Sequence, residues 1–249
     1  MRMRYVSNAG IILETEETSI GIDCFCKDEN HMYQDLEPAM KEELFDEIEK
    51  GKIKQLVFTH GHSDHFCAQD VAEACKRNSQ LEILAGKQVI TELKKQGVSE
   101  KQMTEIALIE EQVLKKQICR DLHIRFLETL HDGEQYMDVQ NLTLLINIGS
   151  KTLVITGDAQ PRQELFREIQ KWSAQIDWLL APFPYVGLHT ARKAISENLS
   201  VKQILVLHQP KEEADAQKWV VNTKNVCKQA QDDLPYPVFP ERTDKWYEI

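Results

Sequence analysis

Four potential metal ligands lie within the short sequence "FTHGHSDHF", residues 58–66, directly after the strand-like run "IKQLVF". Residues i and i+2 of an extended chain point to the same side, so His60 and His62 can reach one cation. Asp64 and His65 follow where the chain turns into the next helix, and they can face a second cation beside the first. Imidazole nitrogens together with a carboxylate oxygen suit Zn²⁺, with Mn²⁺ or Fe²⁺ as alternatives.

Four ligands cannot complete two sites, because each zinc ion takes about four ligands and a catalytic ion keeps one position for water. Two ions therefore call for roughly seven protein groups, some of them shared. Three further candidates each close a β-like run: His131 after "IRFLETL", Asp158 after "TLVITG" and His208 after "QILVL". An isolated histidine at a strand end is more often solvated than a ligand. The motif at residues 60–65 favours the ligand interpretation, because its chemistry is incomplete without these three residues.

Strands and helices alternate along the chain, which is typical of a layered α/β fold, where site residues gather at the ends of strands. The run "AGIILETEETSIGID" predicts a hairpin, and "LTLLINIGSKTLVITGD" predicts a second one with its turn at Gly149 and Ser150. Residues 97–120 are ambiguous between helix and strand. No linker-like boundary interrupts the pattern, so residues 1–249 are expected to form a single domain. The other predicted strands are "IKQLVFT", "IDWLLAPFP" and "KQILVLH", and the helices are "DLEPAMKEELFDEIEKGK", "HFCAQDVAEACKRN", "PRQELFREIQKWSAQ" and "TARKAISENL".

Composition and charge exclude several classes of protein. The 249 residues are 42% hydrophobic and carry 30 basic against 40 acidic side chains, and a net charge of -10 would repel a phosphate backbone. We expect no nucleic-acid partner. The first residues show no apolar signal core, and no run approaches the ~18 residues that a membrane helix needs. The sequence therefore predicts a cytoplasmic protein with reduced cysteines and no membrane contact, and leaves a homo-oligomer open.

The motifs resemble those of the metallo-β-lactamase superfamily of hydrolases. "HGHSDH" fits the H-x-H-x-D-H pattern of that superfamily, and "LHDG", "TGDA" and "VLHQP" fit its later ligand motifs in the same order. The resemblance extends from the first hairpin to about residue 210 and implies a four-layer αβ/βα sandwich with two metal ions at one edge between the sheets. It divides the ligands between two ions that Asp158 bridges: His60, His62 and His131 on one, and Asp64, His65 and His208 on the other.

A pair of cations about 3.5 to 4 Å apart lowers the pKa of a shared water from ~15.7 towards ~7, so hydroxide is available at neutral pH. We expect that hydroxide to attack a small-molecule lactone, ester or phosphoester. Asp64 and Asp158 are candidate catalytic residues, since either could accept the proton of the water. The antibiotic-degrading members lack a bridging aspartate, so Asp158 sets this chain apart from them. In this respect the chain resembles the ascorbate-6-phosphate lactonase, glyoxalase II and phosphodiesterase branches.

His189 is the third candidate catalytic residue. "GLHTARKAISENL" partly resembles the H-S-T-A element of the phosphodiesterase branch, in which a histidine assists departure of the leaving group. In this chain Thr190 follows the histidine directly. The alternative is a purely structural segment in which Thr190 caps the following helix. The sequence leaves both interpretations open.

The substrate is not fixed by the sequence. Only 26 residues separate His131 from Asp158, which leaves no room for the long substrate-clamping arm of tRNA-processing relatives. A phosphodiesterase or nuclease activity is therefore the weaker alternative. A non-catalytic metal-binding regulatory protein is another, and the complete ligand set speaks against it.

Several side chains keep an undetermined role. Cys24, Cys26 and His31 could lie near the metals, and the aromatic residues of "APFPYVG" could form a substrate wall in an extended loop or close the core. The neighbouring carboxylates Glu110 and Glu111 are expected to be solvated.

Overall fold

A computed structural model describes residues 1–107 and 114–249 of the chain. Two β-sheets face each other across a shared apolar layer, and helices cover both outer faces. The strands are β1 Arg2–Tyr5, β2 Ile11–Glu14, β3 Ser19–Ile22, β4 Ile53–Phe58, β5 Glu82–Ala85, β6 Met103–Glu105, β7 Leu114–Cys119, β8 Leu122–Leu130, β9 Gln140–Ile148, β10 Lys151–Ile155, β11 Gln175–Pro182, β12 Ser200–Leu207 and β13 Lys245–Glu248. The helices are α1 Pro38–Glu49, α2 Ala68–Arg77, α3 Lys87–Lys95, α4 Gln163–Trp172, α5 Pro184–Gly187, α6 His189–Asn198 and α7 Trp219–Gln229.

The first sheet has the strand order β13-β1-β2-β3-β4-β5-β6, and the second has the order β12-β11-β10-β9-β8-β7. Helices α1 to α3 pack on the outer face of the first sheet, and α4 to α7 pack on the outer face of the second. The described residues therefore form the four layers of an αβ/βα sandwich, which confirms the fold class predicted from the sequence.

The pattern of side chains along β9 shows how the sequence separates these layers. Leu142, Leu144 and Ile146 point into the layer between the sheets, while Leu145 points to the helices outside. Successive side chains of a strand face opposite sides, and a strand with apolar residues on both sides is covered on both sides. Burial of one such side chain stabilises the fold by about 1.5 to 3 kcal/mol.

Strand direction brings the predicted ligands to one edge. Strands β3, β4, β5 and β6 are parallel to one another in the first sheet. In the second sheet, β8 and β10 are both antiparallel to β9, and β10, β11 and β12 are parallel. The strands that precede the ligands, namely β4, β8, β10 and β12, therefore end where the loops of the sandwich meet.

Most elements predicted from the sequence are present, including both hairpins and the helices that follow β4 and β10. One prediction is wrong, because part of "APFPYVG" forms the short helix α5 instead of an extended loop. Strands β1 and β13, which pair with each other, and helix α7 were not predicted. The predicted solvation of Glu110 and Glu111 lies outside the described residues. Among the described helices, none has the length and apolar character needed to cross a bilayer.

Candidate metal centre

The structure brings all seven predicted ligands together in two adjacent groups. In each group the ligand atoms lie within 4.8 Å of one another: His60, His62 and His131 form the first group, and Asp64, His65, Asp158 and His208 form the second. Asp158 lies between the two groups, because its Oδ2 is 3.7 Å from His131 Nε2 and 3.2 Å from His208 Nε2. Its Oδ1 is 3.3 Å from His65 Nε2. This is the position that a bridging carboxylate requires.

A hydrogen-bond chain behind the ligands fixes which ring nitrogen of three histidines carries hydrogen. Thr59 Oγ1 donates to Asp23 Oδ2 at 2.6 Å, so His60 Nδ1, 3.1 Å from that hydroxyl, is the donor to it. His65 Nδ1 donates to the same Asp23 oxygen at 2.9 Å, and His131 Nδ1 donates to the carbonyl of Asp132 at 2.7 Å. When these three rings are neutral, their Nε2 atoms are therefore left as lone-pair donors to a metal.

Asp23 is the residue of this network whose role the sequence analysis missed. It follows β3, whose neighbour β4 leads into the histidine motif, and it is 1% exposed. Its Oδ1 also accepts the backbone N–H of Thr59 at 2.8 Å. Asp23 has a left-handed backbone with φ 46°, and so does His208 with φ 58°. Non-glycine residues in this region are uncommon and concentrate at functional sites. An aspartate at the end of the neighbouring parallel strand was the available signal.

Buried polar atoms without partners test whether this arrangement fits metal ions. The Nε2 atoms of His60 and His131 are buried and have no hydrogen-bond partner among the described residues, and the Nε2 atoms of His65 and His208 lie against the carboxylates of Asp64 and Asp158. Such atoms cost free energy unless something pairs with them. Other buried polar atoms of the described residues also lack partners, among them Gln55 Oε1 and Arg125 Nε, but the four histidine nitrogens converge in the two ligand groups, so two divalent cations would satisfy them together. The donor atoms of these side chains therefore fit the pair of divalent metal ions that the sequence predicts.

The sequence matches the profile of a protein family described as the beta-lactamase superfamily domain over residues 18–213. That match covers well over half of the chain. The chain belongs to the beta-lactamase superfamily.

Several solved structures have the same fold and match this chain over almost its whole length. The metallo-β-lactamase fold protein YhfI from Bacillus subtilis has a TM-score of 0.66 and 16% identity over 99% of this chain and 98% of its own. An isothiocyanate hydrolase from Delia radicum gut bacteria has a TM-score of 0.67 and 13% identity over 100% and 99%. CmlA, a diiron β-hydroxylase from Streptomyces venezuelae, has a TM-score of 0.65 and 12% identity over 100% of this chain and 54% of its own. No curated protein sequence matches the chain.

The fold, the family match and the geometry of the seven side chains all indicate the same class of protein. The chain has the architecture and the ligand set of a metal-dependent hydrolase of the metallo-β-lactamase superfamily. Identities this low show the fold alone, and the substrate must be argued from this chain's own residues.

The histidines of the two ligand groups differ in how readily they take up a proton. Burial lowers the pKa of His208, but the charge of Asp158 and hydrogen bonds to Asp158 and Asp64 outweigh burial and raise the pKa to about 10. The pKa of His65 is also raised: burial opposes the shift, and the charges of Asp158 and Asp64 overcome it. In the other group, burial and neighbouring histidines lower the pKa of His60 and His62. Without metal, the group around the carboxylates therefore holds protons at neutral pH, whereas His60 and His62 are neutral.

Metal binding at the carboxylate group is consequently expected to release protons. A metal needs neutral imidazole, so its affinity for the group that contains His65 and His208 should rise with pH from neutrality towards their raised pKa values. The group that contains His60 and His62 should show little pH dependence above pH 7. Calorimetric titration at pH 7 in two buffers of different ionisation enthalpy measures the protons released. In Asp64→Asn fewer protons should be released, because Asp64 helps to raise the pKa of His65 and His208. Equal heats in both buffers for the native protein would contradict the expectation.

A cavity of about 500 Å³ opens beside the two groups. His62, Asp64, His131, Asp158 and His208 form its base, and Phe183 and Tyr185 lie in its wall. Tyr185 also closes the core, since it is 1% exposed and donates a hydrogen bond to the carbonyl of Ala159 at 2.6 Å. The segment therefore closes the core and also lines the cavity, and its contact with a substrate stays a prediction.

The structure does not bring His189 to this cavity. His189 is exposed at the start of α6 and lines a separate depression together with Arg192 and Asp232. The structural alternative is not observed either, because Leu188 occupies the N-cap position and no side chain caps the helix. The short helix α5 precedes this segment and packs against α7, so His189 begins α6 on the helical side of the second sheet.

His189→Ala is accordingly expected to change kcat by less than about twofold, well below the 10²- to 10⁴-fold loss for a positioned proton donor. The comparison should include a substrate with an alkoxide leaving group and one with a nitrophenolate, since only the former needs a proton. A loss confined to the alkoxide substrate, with metal content unchanged, would restore the catalytic interpretation.

The remaining uncertain residues are assigned by burial. Cys24 and Cys26 are 0% and 3% exposed and pack in the core between the first sheet and its helices. His31 is exposed and does not line the cavity, whereas its neighbour Asn30 does.

Proposed function

We propose that the protein is a hydrolase with a dinuclear metal centre that acts on a small-molecule lactone, ester or phosphoester. The observation that carries this proposal is the convergence of seven ligand side chains, with unpaired buried nitrogens, at the base of an open cavity. Five imidazoles and two carboxylates favour zinc, with manganese or iron as alternatives. The iron in the name of CmlA is a reason to include iron in reconstitution.

Bound ions would lower the pKa of a water molecule and polarise the bond to be cleaved. The chain's own groups then position that water and handle protons. Asp64 lies in the cavity base, where Asn8 Nδ2 donates to its Oδ2 at 3.3 Å and His208 Nε2 is 2.8 Å away. We assign acceptance of the water's proton to Asp64 or Asp158.

Tyr33 supplies a hydrogen-bond donor at the same place. Its ring lies against His208, with 3.9 Å between the ring centroids, and it lines the cavity. Burial and the charges of Asp158 and Asp64 raise the pKa of Tyr33, so its phenol stays protonated at neutral pH. In the proposed reaction this hydroxyl can donate to a developing oxyanion.

Reconstitution and a hydrolysis screen test the function. Protein stripped with a chelator is reloaded with zinc, manganese or iron and assayed on lactones, carboxylic esters, phosphodiesters and, because of the similar fold of the isothiocyanate hydrolase, an isothiocyanate. We expect turnover that disappears with the chelator and returns with one of the metals. Metal uptake without turnover of any compound would favour the alternative of a regulatory metal-binding protein. Turnover confined to phosphodiesters or nucleic acid would favour the phosphodiesterase or nuclease alternative.

The compartment and partners belong to the same proposal. All six cysteines are free, which agrees with a reducing cytoplasm. The net charge of -10 continues to argue against a nucleic-acid partner.

A further inference from the structure

Among the described residues, five tyrosine, phenylalanine and tryptophan side chains line the cavity beside the metal centre. Tyr33 lies against His208, and Tyr136 lies against the other ligand group, with its ring centroid 4.8 Å from that of His62 and 4.9 Å from that of His131. Phe183, Tyr185 and Trp219 complete the aromatic lining. Each ligand group thus has a tyrosine ring beside it, and three further rings lie in the same cavity.

The aromatic pair at the end of the cavity is held in place by its own local structure. The rings of Phe183 and Trp219 stack with an interplanar angle of 19° and a centroid distance of 6.1 Å. Asp215 accepts the backbone N–H of Trp219 at 2.6 Å and that of Val220 at 3.0 Å, which satisfies the first turn of α7. Lys218 precedes this turn with a left-handed backbone at φ 56°. Trp219 is therefore positioned at the cavity while 37% of its surface remains exposed.

Outside the metal centre, the described lining of the cavity offers no fixed cation for a charged substrate. No arginine or lysine lines it among the residues that the structure describes. The remaining positions, 108–113, have the sequence "LIEEQV" and contain no basic residue. Besides the ligands Asp64 and Asp158, the lining contains one more carboxylate, Asp132. Charge outside the metal centre is therefore negative or absent.

Phosphate and carboxylate groups are recognised in proteins mainly by arginine or lysine, which pair with their oxygens. A charged group brought into an aromatic cavity without such a partner loses its hydration and gains little in return. An uncharged ester needs polar contacts only at the carbonyl that reacts, and the rest of the molecule can lie against aromatic faces.

From this lining we infer that the substrate is an uncharged carboxylic ester or lactone that carries an aromatic or flat apolar group, and that Phe183 and Trp219 bind this group. The inference rests on the proposed hydrolase function and narrows it, because it favours an uncharged ester or lactone over substrates that carry a free carboxylate or phosphate group away from the reacting bond. Trp219 and Phe183 thereby become specificity-determining residues of the site.

Paired substrates test the inference on the metal-loaded protein. Ethyl butyrate and monoethyl succinate (the ethyl hemisuccinate) share the alcohol and the chain length, and only the second carries a carboxylate. We expect kcat/KM to be at least about tenfold higher for the butyrate. Methyl phenylacetate should exceed methyl acetate by a similar factor, since the acetate carries no aromatic group. Equal or higher kcat/KM for the hemisuccinate would overturn the inference.

Variants at Trp219 separate this role from general destabilisation. Trp219→Ala should lower the ratio of kcat/KM for the phenylacetate to kcat/KM for the acetate about tenfold. The control is Trp246→Ala, since Trp246 has the same 37% exposure and lies beside Arg2 on the first sheet. Trp219→Lys should shift the ratio of kcat/KM for the butyrate to kcat/KM for the hemisuccinate about tenfold towards the hemisuccinate. Val221→Lys adds the same charge to α7 outside the cavity lining and should leave the ratio unchanged. If Trp219→Lys and Val221→Lys behave alike, Trp219 does not determine specificity.

A binding experiment decides the inference even if no compound is hydrolysed, which would contradict the proposed function itself. The uncharged 4-nitrobenzyl alcohol and the anion 4-nitrobenzenesulfonate are titrated calorimetrically into metal-loaded protein, because sulfonates coordinate metals weakly and so report on the cavity wall. Tighter binding of the alcohol, lost in Trp219→Ala and kept in Trp246→Ala, supports the inference independently of turnover. Equal or tighter binding of the sulfonate overturns it.

Discussion

Replacing Asp158 by asparagine is expected to weaken both metal positions at once and to lower turnover on the order of 10³-fold. Asn keeps the volume of the side chain but removes the negative charge that lies between His65, His131 and His208. That charge offsets part of the charge of each cation, so its loss raises the cost of placing two cations side by side. Metal content after dialysis, measured by elemental analysis, and kcat on the best substrate of the screen give the result.

Asp132→Asn is the matched control for this substitution. Asp132 follows a ligand in sequence and lines the same cavity, but it is exposed and belongs to neither ligand group. Its variant should retain both ions. Full metal content and full rate in Asp158→Asn would show that the bridging assignment is wrong, and loss of metal in both variants would point to a general effect of negative charge.

Removing one histidine from each ligand group should remove different ions. The native chain is expected to bind about two metal ions, and His208→Ala or His131→Ala should each retain about one. His208 belongs to the group with the carboxylates, whereas His131 belongs to the group with His60 and His62. Either loss should abolish most of the turnover, since the proposed reaction uses both ions.

Thermal stability reports the loss of one ion in each variant independently of stoichiometry, and proton release distinguishes the two variants from each other. A ligand present at 1,000 times its Kd stabilises the folded state by about 4 kcal/mol. Chelation should therefore lower Tm less in each variant than in the native protein, because each variant has lost one stabilising ion. The ion kept by His131→Ala should bind with proton release, and the ion kept by His208→Ala should bind without it. An uptake near zero in the native protein would contradict the metal centre altogether.

The seven ligand residues could be predicted from the sequence, because their positions depend on short patterns of residues and on the ends of individual strands. The spacing of His60 and His62 follows from the period of an extended chain, and the positions of His131, Asp158 and His208 follow from strands that run in one direction and end at one edge. The structure brings these residues together as predicted. Their binding of metal ions stays a prediction until metal content is measured.

Other residues of the site depend on contacts that no short pattern encodes. Asn8 reaches Asp64 from a loop 56 positions away in sequence. Trp219 begins a helix that was not predicted, and its place at the cavity depends on packing against Phe183. The interpretation of His189 as catalytic rested on a partial motif. The segment "APFPYVG" contains the helix α5 where an extended loop was predicted, and His189, which follows this helix, lies in another depression of the surface.

The ligands are divided between the two sheets in a way that bears on how the protein could be dissected. Residues 1–107 supply His60, His62, Asp64 and His65, and residues 114–249 supply the other three, so neither segment contains a complete set for either ion. Two separately expressed fragments, residues 1–107 and 114–249, would each present an incomplete chelate. Metal retained after mixing would then report fragment complementation, and the free metal concentration would set how much of the complex reassembles.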